Sequence, residues 1–182
     1  MASIFFSPNR STITLKGNEI HTNGELPETG SLAPYFKLIS TDLSVKTLSD
    51  FIGNNLVLNI FPSIYTGTCA TSVSNFNKTA AVLENTDVLF ISSDLPFAQG
   101  RFCGAEGMKN VVMLSDFNTG RFGKDYDLEI TDGPLVGLNS RCIVVINSES
   151  SAIYTEQVAG TTEEPNYDLA LAALSGNHGN RA

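Results

Sequence analysis

The sequence predicts an α/β protein built as one domain over residues 1–182, and three observations carry that prediction. Short apolar runs rich in β-branched and aromatic residues recur along the chain, patterns of helical period fall between them, and turn-forming residues punctuate the alternation. With 42% hydrophobic residues and a mean hydropathy of +0.03, a chain of this length supports one core. Such a core buries roughly two thirds of the surface that the unfolded chain exposes. No internal repeat or low-complexity segment interrupts the pattern.

Within residues 10–22, Ile13 and Leu15, the pair Gly17-Asn18, and Ile20 set alternating apolar residues about a turn, which reads as a β-hairpin. Pro34 to Leu38 and Val45 to Leu48 are two short extended pieces. Leu56 to Phe61 is a buried strand by its content, and the expected centre of the sheet. From Cys69 onward Val73, Phe76, Ala80 and Leu83 recur at helical spacing, with Ser72, Ser74, Asn75 and Lys78 on the other face. Val88 to Ser92 reads as a strand, Pro96 to Glu106 as a short helix and Val111 to Leu114 as a strand. Cys142 to Ile146 and Ile153 to Val158 read as the last strands, joined by the polar turn Asn147 to Ser151. Tyr167 to Leu174 makes a closing helix, and residues 175–182 are expected to fray.

Composition excludes several function classes. Nineteen acidic against 11 basic residues give a net charge of −8, and no run of Lys or Arg concentrates positive field, so nucleic acid is not an expected partner. The longest apolar stretch, Leu56 to Phe61, is broken by Asn59 and far too short for a membrane span. Met1 to Pro8 lacks the basic and apolar regions of a signal peptide, so a cytoplasmic protein is expected. The three cysteines, Cys69, Cys103 and Cys142, are an odd number without CxxC spacing. That counts against a disulfide framework, a structural zinc site and a thioredoxin-type exchange motif. A hydrolase pairing cysteine with histidine would have to use His21, which sits in the hairpin, because His178 lies in the tail.

The chemistry concentrates in Pro62-Ser63-Ile64-Tyr65-Thr66-Gly67-Thr68-Cys69, which links the strand directly to the helix. A cysteine at a helix start meets free N–H groups and the positive end of the dipole, and such positions lower thiol pKa values from about 8.5 to roughly 3.5–7.5. A drop of two units needs about 2.7 kcal/mol of preference for the thiolate. The helix terminus supplies about 0.3 to 1 kcal/mol, and up to about 2 when partly buried, so a hydroxyl and a cation must add to it. Thr66 offers the hydroxyl and Pro62 a shield from water; the cation must come from elsewhere. Position alone leaves open that Cys69 is a small packing residue.

The pattern P-x-x-x-T-x-x-C between a buried strand and a helix resembles the active-site motif of the peroxiredoxins. Further stretches resemble the bacterial thiol peroxidases, the atypical two-cysteine subfamily: Asn59 to Ile64, Cys69 to Val73, Asp94 to Gln99, Arg101 to Gly107 and Asp132 to Leu135. The resemblance implies a thioredoxin-like fold, a central mixed sheet with flanking helices, carrying an added N-terminal hairpin. It implies an antioxidant enzyme that reduces alkyl hydroperoxides and hydrogen peroxide with no bound cofactor. Cys69 would be the peroxidatic cysteine and become a sulfenic acid; Thr66 would orient peroxide and sulfur; Pro62 would shelter the nucleophile. Arg141 would be the missing cation, and Cys103 the resolving cysteine that closes a Cys69–Cys103 disulfide. Both cysteines would start in the first turns of separate helices that must partly unwind to meet, with Gly67, Gly100, Gly104 and Gly107 making the backbone compliant. Thioredoxin would reduce the disulfide, and a homodimer is implied. Phe61, Ile64 and Phe97 are expected to line an apolar peroxide pocket.

The chain departs from that subfamily at Tyr65, commonly acidic there, and at Thr68, commonly aliphatic. Cys142 is extra and is read as a packing residue. Two other functions fit the residues. One is a redox sensor or interaction module switched by the Cys69–Cys103 disulfide; the other is a thiol-disulfide oxidoreductase acting on proteins. Thr66 and Arg141 speak against the second.

Overall fold

The computed structural model describes residues 9–66 and 69–176, with the backbone alone at 69–72 and 75. The first elements among the described residues are β1 (Thr12–Leu15) and β2 (Asn18–His21), which form a hairpin and a separate two-stranded sheet. Its turn residues are Lys16 and Gly17, with φ of 51° and 83°, and Asn18 already belongs to β2. The turn therefore lies one residue earlier than the Gly17-Asn18 pair suggested, because two successive positive φ values match the twist of the strands and the register fixes them there.

The main sheet holds β3 (Lys37–Ser40), β4 (Val45–Thr47), β5 (Asn55–Ile60), β6 (Thr86–Ser92), β7 (Val112–Ser115), β8 (Cys142–Ile146) and β9 (Ala152–Gln157). Its order is β4-β3-β7-β6-β5-β8-β9. β5, β6 and β7 run parallel, and every other neighbour is antiparallel. The parallel pairs need crossovers, and the helices provide them: α1 (Cys69–Ala80) between β5 and β6, α2 (Pro96–Glu106) between β6 and β7. α3 (Arg121–Asp125) and α4 (Tyr167–Gly176) complete the α-helices among the described residues. The mixed sheet with flanking helices is the thioredoxin-like arrangement, with the hairpin added at its N-terminal side.

Buried side chains explain why β5 reads as an unbroken apolar run. Leu56, Leu58 and Ile60 face one core cluster with Leu89, Ile91, Val144 and Tyr126. Val57 and Phe61 face the other with Phe76, Phe90, Phe102 and Leu174. A central strand buried on both faces shows no alternation of apolar and polar residues. The hairpin rests on a third, smaller cluster, Ile13, Ile20 and Ile130.

Several boundaries differ from the sequence expectation. β3 begins at Lys37, while the Pro34 carbonyl accepts from the Tyr126 hydroxyl at 2.8 Å. Leu48 leaves β4 for a 3-10 turn, Leu48–Phe51, because Asp50 reaches back to accept from the Thr47 N–H at 2.7 Å. α4 runs on to Gly176, so Ser175 and Gly176 belong to the helix; the remaining tail, with His178, lies outside the described residues. α3 and the 3-10 turn Gly133–Leu135 had no sequence signal, being too short to show a period. Asp116 caps α3, its carboxylate accepting from Phe122 N at 3.3 Å and Gly123 N at 3.2 Å. Among the described residues no helix is long and apolar enough to cross a membrane.

Candidate active site

The C-terminal end of β5 runs into Phe61, whose N–H still donates to the Ile91 carbonyl of β6 at 3.1 Å. Pro62 follows, buried. Ser63 to Thr66 then turn tightly: the Thr66 N–H donates to the Ser63 carbonyl at 3.3 Å, and the Thr66 hydroxyl donates to the same oxygen at 2.9 Å. Three residues later, α1 begins at Cys69. Gly67, Thr68 and the Cys69 side chain lie outside the described residues.

Arg141 precedes β8, the antiparallel neighbour of β5, so the sheet brings it beside this turn. It is 2% exposed. Its Nη2 donates to Thr66 Oγ1 at 3.0 Å, across 75 residues of sequence, and its Nε donates to the Thr161 carbonyl at 3.1 Å. A planar guanidinium held through two different nitrogens has a fixed orientation, and burial keeps its charge poorly screened. Thr66 Oγ1 therefore accepts from a cation and donates to a carbonyl at once. Pro62, Thr66 and Arg141 lie together at the turn that leads into the N-terminus of α1.

Sequence reading gave no role to the group that fixes this turn. Asp94, just past β6, accepts from Ser63 Oγ at 2.8 Å, Ile64 N at 2.8 Å and Ser92 Oγ at 2.7 Å. Ser92 Oγ in turn accepts from Gln99 Nε2 at 3.1 Å, and Gln99 is a buried residue of α2. Ser115 Oγ donates to the Asp94 carbonyl. This network links the turn before Cys69 to the helix that carries Cys103. The signal was the Asp94-Leu95-Pro96 run, an acid before a proline that opens a helix.

Cys103 stands in the last turn of α2, not in a first turn. Its carbonyl accepts from Gly107 N, with Gly107 left-handed at φ 64°, and from Met108 N at 3.1 Å. Unwinding to reach another cysteine would therefore start at this C-terminal cap, at Gly107. Gly100 and Gly104 lie inside the helix; Gly67 is outside the described residues. The thiol is free and half-buried against the α1 and α4 side of the core, and that burial pushes its pKa up.

Phe61 and Ile64 are both buried, while Phe97 is open to solvent. At 1% and 2% exposure both are turned into the core cluster with Phe76 and Phe90, because the turn after β5 leads their side chains back under α1. The aromatic residues open to solvent here are Tyr65, at the turn, and Phe97, on the first turn of α2.

Cys142 begins β8, fully buried, with its sulfur 3.2 Å from Ser140 Oγ. Desolvation pushes its pKa up to about 12, well above that of a thiol in water. The folded state therefore favours the neutral thiol. Between pH 9 and 12 the unfolded chain loses that proton while the folded one keeps it, so this residue lowers stability as pH rises through that window. Urea midpoints measured from pH 8 upward are expected to fall in the native chain and to fall less in Cys142→Val. In the folded protein at pH 8, iodoacetamide is expected to leave Cys142 unmodified.

Residues 28–171 match the Redoxin family. The chain is 53% identical over 162 residues to the thiol peroxidase of Mycobacterium tuberculosis, a match covering 89% of this chain and 97% of the relative. Among solved structures it is similar to a peroxiredoxin-like protein from Aquifex aeolicus, with a TM-score of 0.85, 33% identity, and 92% and 98% of the two chains covered. The thiol peroxidase of Chromobacterium violaceum shares the fold, with a TM-score of 0.84 at 19% identity over 93% and 98% of the chains.

Proposed function

The chain belongs to the Redoxin family and is a thiol-dependent peroxidase, and from that premise we propose that Cys69 is its nucleophile, served by Thr66, Arg141 and Pro62 and resolved by Cys103. The substrate is a hydroperoxide and the reductant a thiol. The Cys69 thiolate attacks the terminal oxygen of R–O–O–H. The S–O bond forms as the O–O bond breaks, the sulfur takes the terminal OH and becomes a sulfenic acid, and the departing alkoxide takes a proton to become the alcohol. Arg141 and the N-terminus of α1 favour the thiolate and stabilise the charge growing on the leaving oxygen. Thr66, held between Arg141 and the Ser63 carbonyl, fixes where the peroxide sits.

Cys103 then condenses with the sulfenic acid, releasing water and forming the Cys69–Cys103 disulfide. Its raised pKa keeps it a thiol until that step. A disulfide needs the two Cα atoms within about 4.4–6.8 Å, which the C-terminal turn of α2 reaches by opening at Gly107. Two electrons from a thioredoxin dithiol restore both thiols. The working form is a cytoplasmic homodimer.

The observation that carries the reading is the buried Arg141 donating to Thr66 three residues before Cys69. The test is oxidation of NADPH in the presence of thioredoxin, thioredoxin reductase and cumene hydroperoxide. Sustained turnover is expected. Formation of the disulfide without turnover would replace the enzyme with the sensor described above.

A further inference from the structure

The Arg141 guanidinium is fixed from two directions, and the second leads to an unexpected place. Its Nε donates to the carbonyl of Thr161, which lies past the end of β9. The Val158 N–H, donating to the Arg141 carbonyl at 3.0 Å, is the last rung beside β8. Beyond it, Ala159 to Thr161 is held by β1 of the N-terminal hairpin. Thr14 N donates to the Ala159 carbonyl at 2.7 Å, Thr161 N donates to the Thr14 carbonyl at 2.9 Å, and Thr14 bridges Gly160 in parallel. Thr14 Oγ1 adds a longer bond to Ala159 O, 3.3 Å.

The register explains why Thr14 is available. In an antiparallel pair, alternate residues turn both backbone groups away from the partner strand. Thr14, opposite Glu19, is such a residue, and both of its groups go to 159–161. The hairpin is itself fastened at its far end. His21 N donates to Asp132 Oδ1 at 2.7 Å, His21 Nδ1 lies 2.6 Å from Asp132 Oδ2, and Thr131 N donates to the His21 carbonyl at 2.8 Å. Ile13 and Ile20 are buried against Ile130.

We propose that the N-terminal hairpin is a positioning device for catalysis: Thr14 sets the place of the Thr161 carbonyl, which orients the Arg141 guanidinium toward Thr66. This rests on the role given to Arg141 above. The bond at Nε, to a carbonyl fixed by β1, adds a second direction of anchoring to the bond at Nη2 and so restricts rotation of the planar guanidinium.

Thr14→Pro removes one donor and spares the ladder to β2, since that N–H points the other way, and Ile13 before it is already extended. Thr161→Pro removes the other donor and keeps the carbonyl. The readouts are the Cys69 pKa, from the pH dependence of its alkylation, and kcat/KM for cumene hydroperoxide. Both are measured in each variant alone and combined with Arg141→Lys. Each proline variant is expected to raise the pKa by about half a unit and lower kcat/KM about tenfold, with less than a twofold effect in the Arg141→Lys background. A proline variant with native circular dichroism and unchanged pKa and kcat/KM would overturn the proposal, as would equal losses with and without Arg141. If Arg141→Lys alone changes neither quantity, the reading of Arg141 fails and the hairpin's role falls with it. Should neither proline variant fold, amide hydrogen exchange in the native protein decides. Thr14 and Thr161 amides as protected as that of Val158 support the proposal, and exchange at the rate of a free chain overturns it.

Discussion

Cys69→Ser is expected to abolish peroxide consumption. A serine hydroxyl at the start of α1 stays protonated at neutral pH, and the stabilisation a helix terminus gives an anion, about 2 kcal/mol at most, cannot make it an alkoxide. No other cysteine can take over. Burial pushes the Cys103 thiol up, and Cys142 is pushed up to about 12 inside the core. Attack on an O–O bond needs a thiolate, so neither competes. The loss should therefore approach the rate of peroxide decay in buffer, with circular dichroism unchanged. Initial rates of cumene hydroperoxide disappearance measure it, with Cys142→Val as the control that keeps native activity.

Arg141→Lys is expected to lower kcat/KM about a hundredfold to a thousandfold, the usual effect of removing a preorganised hydrogen-bond donor from the reacting oxygen. Charge is conserved in this change; geometry is not. A lysine ammonium is a point charge on a flexible stem and cannot bond Thr66 and the Thr161 carbonyl at the spacing of Nη2 and Nε. The Cys69 pKa should rise at the same time. An effect on KM alone, with the thiolate unchanged, would mean that Arg141 only binds peroxide.

Much of this arrangement was legible because it is written in side chains of distinctive type. The Leu56 to Phe61 run reads as a central strand because both of its faces are buried. The phase of Val73, Phe76 and Ala80 fixes the helix that begins at Cys69, and Arg141, the cation read from the sequence, donates to Thr66 in the turn before that helix. What could not be read is written in the backbone or in long-range pairing. Nothing marks Lys16 as a left-handed turn residue, since lysine has no preference for φ 51°. Thr161 acts through its carbonyl, a group every residue carries. Asp94 earns its place only when β5 and β6 align, which sets its carboxylate against Ser63 and Ile64. Apolar side chains beside a nucleophile suit a pocket and a core equally well in sequence, and Phe61 and Ile64 pack in the core cluster with Phe76 and Phe90.

One measurement bears most directly on the assignment of the two cysteines: free thiols and protein mass after one equivalent of cumene hydroperoxide is added to the reduced native chain and to Cys103→Ser. The native chain is expected to lose two thiols with no added oxygen, and Cys103→Ser to lose one and hold a sulfenic acid that a dimedone probe traps at Cys69. If the native chain keeps Cys69 as a thiol while peroxide is consumed, or if dimedone labels another residue in Cys103→Ser, the chemistry does not begin at Cys69 and the account is wrong.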